Sequence, residues 1–219
     1  MSKTLLIGII LLLLVVFRLR REIIAVLALR FLAKTAGDKA IAKQPDEIHL
    51  APVSFGPTPG MAAIAAQLAA RGFAEAGTWS IAELSGVKVQ FLLDAPHAVY
   101  ACVYEHPQAG CWAELVTRYQ DQSGATFTTR PPTGLSPRPG DYVEHAPGVA
   151  LETLCERMLR ERPQKPMLTL DAAKLPQLFE AAWAQQIAWK KQHGTSPREM
   201  ARFLVNRRAK SVAISQSSQ

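Results

Sequence analysis

Between residues 78 and 130 the chain divides into five short segments whose spacing leaves few ways to fold. Residues 78–84, 87–93, 99–105, 112–119 and 125–130 are rich in β-branched and aromatic side chains. They are separated by Ser85-Gly86, Asp94-Ala95-Pro96, residues 107–110 and Ser123-Gly124. Connections this short cannot carry the chain back across a sheet, so the segments are expected to form an antiparallel meander of four or five strands. Val87, Val89, Phe91 and Leu93 alternate with Lys88 and Gln90, the period of a strand.

Helices are expected before and after these segments in the chain. Thr58-Pro59 reads as N-cap and first turn of a helix that Gly72 stops, with Met61, Ile64, Ala65 and Leu68 on its buried stripe. Leu151, Leu154, Cys155, Met158 and Leu159 repeat at helical spacing up to Pro163, and residues 176–192 present Phe179, Ala182, Trp183 and Ile187 inward. Ser196-Pro197-Arg198-Glu199 is a capping box that opens a last helix with Met200, Phe203 and Leu204. Residues 130–148, with five prolines, read as an irregular loop. With 219 residues, 48% of them hydrophobic, the chain has material for one such domain.

Residues 5–17 are an unbroken apolar run, about 20 Å long as a helix against a hydrocarbon core of roughly 30 Å. Snorkelling by Lys3 and Arg18 would close the gap, and the basic residues directly after the run favour an uncleaved signal-anchor over a cleaved signal. Arg18, Arg20 and Arg21 behind the run orient the domain toward the cytoplasm, as in a bacterial-type inner membrane. The expected fold class is therefore α+β: a transmembrane helix followed by one domain with the antiparallel meander packed by helices. The expected organisation is an anchor and basic juxtamembrane helix over 1–34, a linker over 35–57, the domain over 58–212 and a polar tail over 213–219.

The net charge of +7 is divided unevenly. Residues 1–34 carry +5 and residues 189–219 carry +6, which leaves the body at minus 4. A domain built to bind nucleic acid would carry its basic patch on the folded body, so nucleic acid is not the expected partner. An anionic bilayer surface fits better, with Arg18, Arg20, Arg21, Arg202, Arg207, Arg208 and Lys210 as the contacting residues. Ordinary solubilising charges at helix ends explain the same C-terminal cluster. Residues 194–204 resemble the first helix of helix-turn-helix domains. That resemblance implies DNA binding through residues 194–211, although residues 205–210 offer no glycine for the turn that the pattern needs.

Chemistry-bearing residues are sparse. Cys102, Cys111 and Cys155 are odd in number and lack metal-ligand spacing, and a hairpin through 106–110 opposes Cys102 to Glu114 rather than to Cys111. Three free thiols suit a reducing compartment. The histidines form no ligand motif, so neither a metal nor a cofactor is expected. If the protein is an enzyme, its site lies at the strand-end turns of residues 94–112, with Asp94, His97, Glu105, His106 and Cys111 as candidates, Cys111 becoming nucleophilic beside a histidine. The simpler reading, and the one favoured, is that these residues are polar β-turns flanked by a core aromatic. The leading expectation is a non-catalytic, membrane-anchored binding or scaffolding module for a protein or small-molecule partner, with the enzyme and the tethered DNA-binding protein as alternatives.

Overall fold

A computed structural model describes residues 35, 37–39, 41–53, 56–196, 198–200, 202, 203 and 206. Seven strands form one sheet in chain order: β1 (Leu50–Pro52), β2 (Ala74–Ile81), β3 (Lys88–Asp94), β4 (Val99–His106), β5 (Gly110–Arg118), β6 (Gly124–Thr128) and β7 (Tyr142–His145). Helix α1 (Pro59–Ala69) lies between β1 and β2, and α2 (Leu151–Glu161) and α3 (Leu175–His193) follow β7.

The sheet corrects the expected meander of four or five strands. β1 to β6 pair antiparallel, but β7 runs parallel to β6, so the sheet is mixed. Residues 129–141 make this possible, because a connection of that length can return the chain to the same end of the sheet. The hairpin register is as the sequence implied: Glu105 opposes Cys111 and Cys102 opposes Glu114.

The pleat divides the strands between two cores. On the first face, Leu92, Val99, Ala101, Val103, Ala113, Leu115, Ala125 and Phe127 pack against Met61 and Leu68 of α1 and Leu151, Leu154 and Met158 of α2. On the second face, Val89, Phe91, Tyr100, Tyr104 and Trp112 pack against Leu175, Phe179 and Trp183 of α3. The alanine-rich α1 buries the stripe expected of it. In α2, Leu159 is an exception at 38% exposed, because at 100° per residue it lies about 80° round the helix from Leu151. Gly194 adopts φ 66° and closes α3, its N–H bonding to Lys190 O at 2.8 Å. The capping box also forms: Ser196 N–H donates to Glu199 Oε2 at 2.7 Å and Glu199 N–H to Ser196 Oγ at 3.2 Å. Glu199 Oε1 also accepts from Ser136 N–H at 2.8 Å, which ties the loop after β6 to this helix.

Among the described residues no helix is long and apolar enough to cross a membrane. This corrects the expectation of a single-pass, signal-anchored membrane protein, and with it the cytoplasmic side, which was assigned from the orientation of that span. The longest of the helices described, α3, carries Glu180, Lys190 and Lys191 along its 19 residues. The run over 5–17 lies outside the described residues, as do Arg18, Arg20, Arg21, Arg207, Arg208 and Lys210. Arg202 is described and exposed. Within residues 35–57, Ile41 and Ile48 are buried and Leu50–Pro52 joins the sheet as β1.

Candidate functional site

The five turn residues fall into two groups at opposite ends of the sheet. Asp94 closes β3 and His97 stands in the turn to β4, where His97 Nδ1 lies 2.7 Å from Asp94 Oδ2. Glu105, His106 and Cys111 lie at the far end of β4, an eight-residue strand that at about 3.3 Å per residue puts the groups about 23 Å apart. They cannot act on one bound molecule as a single catalytic constellation.

Each group is tied into local structure. The carbonyl of His97 accepts from Arg162 Nη1 at 2.8 Å, and the same nitrogen donates to Thr117 Oγ1 at 2.8 Å, so the turn is strapped to the end of α2. His106 Nδ1 accepts the backbone N–H groups of Gln108 and Ala109 at 3.0 and 3.2 Å, which makes the imidazole the staple of its own turn. Glu105 pairs with Lys88 at 3.3 Å. Cys111 lies against the start of α1, where a Cβ on Gly60 would meet its Sγ at 2.9 Å. Burial pushes the thiols of Cys102, Cys111 and Cys155 above the ordinary cysteine value, and for Cys111 the Glu105 carboxylate adds to the rise. A thiolate nucleophile needs the reverse.

Sequence reasoning passed over a polar row on the second face. The register opposes Cys102 to Glu114, Glu114 to Thr128 and Thr128 to His145, so these four side chains cross the sheet in line from its centre to β7. Glu114 receives Tyr104 Oη–H and Trp112 Nε1–H, each at 3.3 Å. Burial raises its pKa above the usual carboxylate range, against the pull of these donors and of the nearby Arg130 and His145. Arg130 covers the Trp112 ring at 4.8 Å, and His145 Nδ1–H donates to Arg130 O at 3.0 Å. A glutamate inside the apolar segment Trp112-Ala113-Glu114-Leu115-Val116 was the available signal.

A cleft of about 520 Å³ opens between Asp38, Ile41 and Ala42 on one side and residues 190–194 on the other. Its charges are engaged in structure: Lys191 pairs with Asp46 at 2.7 Å, and Asp38 Oδ1 accepts from Thr195 N–H at 2.7 Å and from Thr195 Oγ at 2.9 Å. Lys190, Lys191 and His193 occupy the last turn of α3, where positive charge complements the helix dipole.

The two edges of the sheet differ. In β1 the outward backbone groups belong to Leu50 and Pro52. Leu50 N–H is capped by Glu180 Oε1 at 2.7 Å and Pro52 has no N–H, so this edge offers no donor. In β7, Ala146 N–H donates to Thr128 O at 2.8 Å, which fixes the parity: Tyr142 and Glu144 face β6 and the N–H and C=O groups of Val143 and His145 point outward. Tyr142 is 36% and Val143 38% exposed. Glu144 is held by an ion pair to Arg157 of α2, and the Tyr142 ring packs on Phe127 with centroids 5.5 Å apart, so the strand is fixed in place, and among the described residues none pairs with its outer edge.

Set against family models, curated proteins and solved structures, the chain matches none.

Proposed function

We propose that the protein is a non-catalytic binding module that takes an extended protein segment at the β7 edge by strand addition. The observation that carries the reading is the asymmetry of the sheet. One edge is closed to donors by Glu180 and Pro52, whereas the other presents two evenly spaced donor and acceptor pairs, at Val143 and His145, beside two exposed apolar side chains. An added strand draws its affinity from such backbone pairs and its specificity from flanking side chains. The raised thiol pKa values and the wide separation of the two turn groups agree with a role that involves no bond making.

The test is selection of extended peptides from a displayed library on the full chain, followed by the Val143→Pro variant. That substitution removes one outward N–H and leaves the ladder to β6, which runs through the neighbouring residues, untouched. Selected peptides are expected to lose at least about tenfold in affinity, the worth of roughly one backbone hydrogen bond plus a steric block. Peptides that bind the variant as tightly as the parent would overturn the reading.

A further inference from the structure

We draw no further inference here: the strongest candidate, the cleft between Asp38, Ile41 and Ala42 and the last turn of α3, carries nothing because Lys191 is paired with Asp46, Asp38 is bonded to Thr195, the positive charge of that turn complements the helix dipole, and nothing in the structure shows what would occupy the space.

Discussion

Replacing Trp112 tests whether the second face is a dry core or a hydrated surface. The side chain is 9% exposed, stacks on Tyr104 with centroids 4.7 Å apart and planes 14° apart, lies under Arg130, and donates Nε1–H to Glu114. Truncating a buried Trp to Ala costs about 3–5 kcal/mol, which already includes the loss of an aromatic pair worth about 0.5–1.5 kcal/mol. Glu114 then also loses one of its two donors while its carboxylate stays surrounded, which places Trp112→Ala in the upper half of that range, about 4 kcal/mol. With a urea slope near 2.5 kcal/mol per molar, the unfolding midpoint should fall by about 1.5 M. Trp112→Phe keeps a ring on Tyr104 and loses the N–H, so it should cost about 1–2 kcal/mol. Urea unfolding of both variants, followed by far-ultraviolet circular dichroism, measures the two values. A loss below about 1 kcal/mol for Trp112→Ala, or equal losses for Ala and Phe, would refute the packing argument.

Burial holds the Glu114 pKa above its ordinary 4.5, so the folded chain keeps a proton that the unfolded chain has released and stability falls as pH rises through that interval. Glu114→Gln removes the charge and should gain stability relative to the parent as pH rises from 4.5, measured as the difference in urea midpoints; a difference independent of pH would exclude this. Glu199 has the opposite sign, its pKa held down to about 2 by the Ser196 and Ser136 donors, so its contribution is complete above 4.5 and lost as pH falls toward 2. Glu199→Gln should therefore cost about 1 kcal/mol at pH 7, the usual worth of a cap, and progressively less as pH falls from 4.5 through 2. The three thiols should react slowly with iodoacetamide at pH 7.5, Cys102 slowest because its residue is 1% exposed, and peptide mass spectrometry before and after unfolding reads the ratio. Alkylation of Cys111 at the unfolded rate would contradict its packing beside Gly60.

Much of the middle of the fold was legible because local physics decides it. Short connections fix antiparallel neighbours, so the pairing of Glu105 with Cys111 and of Cys102 with Glu114 followed from one turn position. The buried stripe of α1 and the stop at Gly194 followed from helical spacing and a positive φ. What was illegible depended on distant partners. β7 occupies four residues between Pro139 and Pro147, and its parallel pairing to β6 is set by residues 129–141, which carry no signal of it. β1 has three residues, one a proline, and is a strand only because β2 supplies the ladder. Site residues followed the same rule. The pairs Asp94 with His97 and Glu105 with Lys88 are close in chain or register, whereas the line from Glu114 through Thr128 to His145 appears only when three strands are in place.

The unequal edges also limit what assemblies the sheet can form. A strand edge left open invites unlimited addition when the opposite edge can answer it, because head-to-tail pairing of β7 with β1 would repeat without closing. Here β1 cannot answer: its outward positions hold a capped N–H at Leu50 and a proline at 52. The open stretch of β7 is short and ends at Pro147, which removes the next outward donor after His145. A segment that adds to β7 therefore meets no answering donor row at the far edge of the same sheet. The devices that close β1 therefore keep an open strand from seeding an unlimited run of head-to-tail copies.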